Sequence, residues 1–111
     1  MTPIERRFDA IHQIGCIITH KAGKFAQAQI HHLNLGGRAG QKRRGDRYTI
    51  GLTPWYHDGI VPLGETKASM TRRFGPSLKY QSKAFRERFG SDDELLAYQD
   101  QLIEELEARV A

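Results

Sequence analysis

The residues best placed to do chemistry are a histidine pair, His31-His32, and a third histidine, His57, one short element further on. Near neutral pH an imidazole can ligate a cation or take a proton from water. Adjacent residues on a strand point to opposite faces, so His31 and His32 cannot both lie in one apolar core, and at least one has a polar task. At a strand end, a slight twist or bulge can aim both rings into a common polar site. His57, on a helical turn after the next strand, can return to the same place. Taken alone the pair is a weak signal, because His-His occurs by chance in many proteins and a lone histidine beside Trp55 also suits a hydrogen-bonded edge position.

Phosphodiester hydrolysis needs a deprotonated water, a cation on the phosphate and leaving oxygen, and a surface for the flanking phosphates. The chain has a candidate for each. His32 is the general base, His31 and His57 are the metal pair, and Arg38, Lys42, Arg43, Arg44 and Arg47 are the phosphate clamp. Two protein ligands leave several positions for water and phosphate, which suits Mg²⁺ or Mn²⁺, while imidazole also accommodates Zn²⁺ or Ni²⁺.

The elements that must position these residues follow from local signals. Thr2, Pro3 and Glu5 form a capping box with proline at the first helical position, and Ile4, Phe8 and Ile11 share one face of a helix that Gly15 stops. The β-branched run at 16–20, a turn at 21–24 and an extended stretch at 25–33 predict a β-hairpin whose second strand ends at His31-His32. Residues 34–47 hold four glycines and five Lys/Arg with no hydrophobic period, and read as a loop. A short strand at 48–52 and a helical turn from Pro54 carrying Trp55, Tyr56 and His57 follow, broken by Asp58-Gly59. A short helix is expected over 66–74. Ser82 then caps a helix with Phe85 and Phe89 on one face, and Ser91 to Glu94 form a second capping box opening a last helix with Leu95, Tyr98, Leu102, Ile103 and Leu106 as its stripe.

At 111 residues the chain is expected to be a single domain, with a core at about 16–90 and an acidic C-terminal helix at 91–111. Apolar residues at 39% and charged residues at 27% describe a globular chain, not a disordered one. No run approaches the length that spans a bilayer, so a cytoplasmic protein without a membrane partner is expected. Cys16 is the only cysteine, which excludes an internal disulfide and a cysteine-built zinc site. The net charge of +4 is split: residues 1–90 carry 16 Lys/Arg against 6 Asp/Glu, and residues 91–111 carry 1 against 7. A body that basic suits a polyanion such as nucleic acid.

From Cys16 to Leu96 the sequence resembles the phage recombination-enhancement (Ref) family of RecA-dependent nucleases, a branch of the His-Asn-His (HNH) endonucleases. The resemblance rests on Ile30-His31-His32-Leu33, on Gly36-Gly37-Arg38-Ala39-Gly40, on Tyr48-Thr49-Ile50-Gly51-Leu52, on His57, and on the Phe85 to Phe89 segment followed by Gly90-Ser91-Asp92-Asp93-Glu94-Leu95-Leu96. It implies that His31 and His57 are metal ligands and His32 the general base. The middle motif position falls on Asp46, which could orient His32 through its other ring nitrogen or bind a backbone group to fix the loop. The family's structural zinc pairs fall near Cys16 and on residues 53–56, where one potential ligand remains. No structural zinc is expected, and Trp55, Tyr56 and Ile18 should fill that volume instead. A histidine often found after Ser77-Leu78 is replaced near Lys79, which can contact phosphate. The resemblance implies an α+β fold with a ββα-metal (HNH/His-Me finger) core, a β-hairpin and peripheral helices. It also implies a metal-dependent DNA endonuclease with one divalent cation, directed by a RecA filament in recombination and working in the host cytoplasm if phage-encoded. The alternative is a non-catalytic DNA- or RecA-binding protein derived from a nuclease.

Overall fold

A computed structural model describes residues 1–34 and 45–110. In chain order these form α1 (Pro3–Ile14), α2 (Ile17–Lys21), β1 (Gln29–His32), β2 (Thr49–Leu52), α3 (Pro54–Asp58), α4 (Lys67–Phe74), α5 (Ser82–Phe89) and α6 (Asp92–Val110). The architecture is α+β. The start of α1 is as local chemistry dictates: Glu5 N–H donates to Thr2 Oγ1 at 3.1 Å while the Thr2 N–H donates to Glu5 Oε1 at 3.0 Å. Ser91 and Glu94 make the same reciprocal pair at the head of α6.

Among the described residues the sheet has two antiparallel strands, with Gln29 opposite Leu52, Ile30 opposite Gly51, His31 opposite Ile50 and His32 opposite Thr49. Its two faces are buried against different clusters. Ile50 and Leu52 join Cys16, Ile17, Ile18, Trp55, Phe85 and Leu95, whereas Ile30 packs on Ala10, Ile11 and Ile103. The Leu33 N–H bond to Tyr48 C=O at 2.9 Å fixes the alternation of the ladder, so the Thr49 and Gly51 backbone groups point away from β1. Side chains close this outer edge of β2. Gly51 N–H donates to Gln99 Oε1 at 2.8 Å, and Arg7 donates from Nη2 to Thr49 C=O at 2.6 Å and from Nε to Thr49 Oγ1 at 2.9 Å. Arg7 Nη1 also pairs with Asp100 at 2.8 Å, tying α1 to α6. Gly51 must be glycine here, because a Cβ would lie 2.9 Å from the Gly15 carbonyl oxygen and 2.8 Å from Ile11 Cγ2.

Two expectations from sequence are corrected. Residues 16–20 are not the first strand of a hairpin. They form the helical turn α2, with His20 N–H bonded to Cys16 C=O at 2.9 Å, and the partner of β1 is β2. The reason is burial: Cys16, Ile17 and Ile18 are all within 5% exposure, a run that one helical turn can bury and a half-exposed strand cannot. Ser82 is the first residue of α5 and not its cap; Gln81 holds the cap position without a side-chain cap bond. The acidic helix α6 is equally part of the core, with Leu95, Gln99, Leu102 and Ile103 buried.

Gln99 is fully buried and its Nε2 has no hydrogen-bond partner among the described residues, so its acceptor oxygen is the atom the position uses. Gln99→Met leaves the Gly51 N–H buried without an acceptor and should lower the free energy of unfolding by about 1–3 kcal/mol in urea denaturation. Gln101→Met, on the exposed side of the same helix, should move it by no more than about 0.5 kcal/mol.

Candidate functional site

Strand β1 presents His31 and His32 on opposite faces of the sheet, and both still line one cleft of about 550 Å³ together with His57, Asp58, Lys79 and Asp92. The edge of β1 that faces away from β2 makes this possible. Ile30, His31 and His32 all line the cleft, so it straddles that edge and collects one ring from each face. The register of β1 on β2 runs one to one, without a bulge.

On one face His31 meets His57, with ring centroids 4.9 Å apart and planes at 78°. His57 arrives on α3, whose start is set by Thr53 Oγ1 accepting from Tyr56 N–H at 3.3 Å and by Pro54 in the first turn. His57 Nδ1 lies 2.9 Å from Gln29 Oε1. A carbonyl oxygen can only accept, so Nδ1 carries the proton and the ring lone pair is on Nε2, the tautomer a metal ligand needs. Gln29 was not singled out from sequence, although its place two residues before His31 puts it on the same strand face.

On the other face His32 packs edge-on against Phe8 at 6.3 Å, and its Nε2 lies 2.8 Å from Asp46 Oδ1. The Asp46 backbone is itself held, its C=O accepting from Thr49 Oγ1 at 2.9 Å. A carboxylate on Nε2 places that proton there and leaves Nδ1 as the acceptor atom of His32. Thus one imidazole pair shares a face, and the third imidazole is oriented by an acid on the opposite face.

Of the remaining sequence candidates, Lys79 lines the cleft. Arg47 is exposed and lines a separate groove between α1 and α6 with Arg6, Tyr48 and Glu104. Arg38, Lys42, Arg43 and Arg44 lie outside the described residues. The cleft also holds Arg86 and Asp92, paired at 3.0 Å, which composition alone did not mark. Among the described residues no group of three or more His, Cys, Asp or Glu is close enough to hold a metal by itself.

Behind the site, Ile18, Trp55 and Tyr56 pack into one apolar cluster with Cys16. Trp55 Nε1 donates to Gly75 C=O at 3.0 Å and Tyr56 Oη to Phe74 C=O at 2.6 Å, so α3 is pinned to the end of α4 and His57 with it.

A family model described as recombination enhancement, RecA-dependent nuclease, matches residues 2–104. No curated protein and no solved structure matches the chain. The match takes in α1 and most of α6, the two helices that close the edge of β2. Among the described residues no helix is long and apolar enough to cross a membrane.

Burial, reinforced by the neighbouring Cys16, pushes the Tyr56 hydroxyl up to about 12 from its ordinary 10.0, against a smaller opposite effect of Arg88. Because the folded state holds this proton more tightly than the unfolded chain, the stabilisation is complete below pH 10 and is lost as pH rises from 10 towards 12. Tyr56→Phe should remove that alkaline loss, read as a flatter unfolding free energy over this pH range.

Proposed function

The chain belongs to the RecA-dependent recombination-enhancement nucleases, and from that premise we propose that it is a metal-dependent DNA endonuclease of the HNH type in which β1, β2 and α3 form the catalytic unit. The observation that carries the reading is the division of labour across β1, with the His31–His57 pair on one face, the Asp46-bonded His32 on the other, and one cleft open to both.

The donor set fits a divalent cation. Two imidazoles, one with its tautomer set by Gln29, supply nitrogen ligands, and with no third protein ligand close to them among the described residues the remaining positions go to water and to the phosphate itself. When bound, the cation polarises the scissile phosphate and stabilises the leaving oxygen. His32 accepts the proton of the attacking water at Nδ1, and Asp46 stabilises the imidazolium that results. Because His32 faces away from the His31–His57 pair, its lone pair is reserved for water and is not taken up as a third ligand. Lys79 holds a flanking phosphate in the cleft, and the basic residues Arg38, Lys42, Arg43, Arg44 and Arg47 extend the grip on the backbone. Contacts of this kind carry little sequence information, so the position of the cut is set by the RecA filament on which the family depends.

Cleavage of supercoiled and looped DNA with Mg²⁺ or Mn²⁺, with and without RecA filament, tests the reading. His32→Ala should cut at least about 100-fold more slowly than wild type, and Asp46→Asn about 10–100-fold more slowly. Gln29→Ala should raise the metal concentration needed for half-maximal cleavage by about 10–100-fold. Undiminished cutting by His32→Ala would remove it as the base. No cutting by wild type under any condition, with salt-sensitive DNA binding intact, would leave a binding protein.

A further inference from the structure

Residues 66–86 carry Lys67, Arg72, Arg73, Lys79, Lys83 and Arg86 and no aspartate or glutamate. Arg73 pairs with Glu65 and Arg86 with Asp92, both at 3.0 Å, whereas Lys67, Arg72, Lys79 and Lys83 make no salt bridge among the described residues. In the middle of this basic stretch Tyr80 is 48% exposed. An exposed aromatic ring among cations is the usual composition of a surface that holds unpaired nucleotides.

The geometry joins this ring to the catalytic cleft. Residues 78–82 form a ridge: Leu78, Lys79 and Ser82 line the cleft that holds the three histidines, and Tyr80 and Gln81 line a second groove on its other side with Lys67 and Arg72 of α4. The ridge is built rigidly. Ser77, fully buried, accepts from Tyr80 N–H through its Oγ at 3.1 Å and from Gln81 N–H through its C=O at 3.0 Å, and Leu78 N–H donates to Tyr56 C=O at 3.0 Å. The Tyr80 ring lies against Gly59, which has φ +65° and where any Cβ would collide with the ring. Gly59 is two residues from His57. Over the ring stands the Lys67 ammonium, 3.9 Å from its centroid.

We propose that this second groove binds an unpaired nucleotide next to the scissile phosphate, its base against Tyr80 and its phosphates on Lys67 and Arg72. The strand then runs from the histidine cleft past Lys79, over the ridge and along α4. The site deepens the nuclease reading and rests on it: the substrate is a strand with at least one unpaired base beside the cut, as a displaced strand has, and not an intact duplex. The flexible Lys67 side chain, which now covers the ring, moves aside to the phosphate, and the base takes the ring face that it leaves.

Binding of a labelled single-stranded oligonucleotide by fluorescence anisotropy, in EDTA and low salt, isolates the site from metal and from cleavage. Wild type should lose about tenfold in affinity when the bases are replaced by abasic sites. Tyr80→Ala should lose about tenfold on the normal strand and no longer distinguish it from the abasic one, while leaving duplex affinity unchanged; Tyr80→Trp should restore the distinction. Lys67→Ala and Arg72→Ala, both on the exposed side of α4, should each reduce the slope of log K against log salt by about 0.7. If Tyr80→Ala weakens normal, abasic and duplex DNA equally, or if neither α4 substitution changes the salt slope, the site is overturned. A protein that cuts DNA in a His32-dependent way yet shows no base dependence would overturn this groove alone, whereas base-dependent binding without cleavage would leave the groove and remove the nuclease.

Discussion

A ribbon of two four-residue strands does not hold together in water on its own, and the rest of this molecule is arranged around that weakness. Its faces are covered by separate apolar clusters, and among the described residues the outer edge of β2 is closed by side chains and not by a third strand. Arg7 does three things at once: it caps the Thr49 carbonyl, fixes the Thr49 hydroxyl and pairs with Asp100. Gln99 supplies the acceptor that the Gly51 N–H would otherwise lack. An unsatisfied buried backbone group costs about 1–3 kcal/mol, a large fraction of the stability of a domain this small. The helices that deliver these two side chains, α1 and α6, are therefore structural members and not appendages. With the β2 edge closed, the opposite edge of β1 is the side on which a cleft can form.

The chemistry inherits its geometry from the same ribbon. A period of two residues sends His31 and His32 to opposite faces, and the cleft uses the edge between those faces instead of a distortion to reach both. Separation of this kind suits a site in which one histidine must hold a cation and its neighbour must not. Two of the three rings are oriented by partners distant along the chain: His57 by Gln29, and His32 by Asp46. The hydroxyl of Thr49 links the two halves of the design, since it accepts from Arg7 at the closed edge and donates to the carbonyl of the residue that orients His32.

Short-range signals were legible in the sequence wherever one turn of backbone decides the outcome. The Thr2–Glu5 and Ser91–Glu94 boxes, the Pro54 start of α3 and the glycine after it all act within a few residues of themselves. The His32–Asp46 hydrogen bond came from family resemblance and not from spacing. The segment at 16–20 has the pattern of a strand yet folds as a helical turn, because β-branched apolar residues serve a buried helical turn as well as a strand, and only the presence of Leu52 and Trp55 beside them decides which. Arg7 and Gln99 were invisible for a different reason. Each is an ordinary polar residue on an amphipathic helix until a sheet edge is brought against it, 42 and 48 residues away along the chain. The acidity of α6 likewise suggested an appended tail, while its apolar stripe completes both clusters.

In the proposed site His31 and His57 share a cation while His32 is kept apart from it as the base. Titration with Mn²⁺ followed by electron paramagnetic resonance reads ligation directly, without DNA, RecA or turnover. A single bound ion per chain is expected, with couplings to two imidazole nitrogens, lost in His57→Ala and unchanged in His32→Ala. Loss of binding in His32→Ala equal to that in His57→Ala, or a bound ion with no nitrogen coupling, would contradict it.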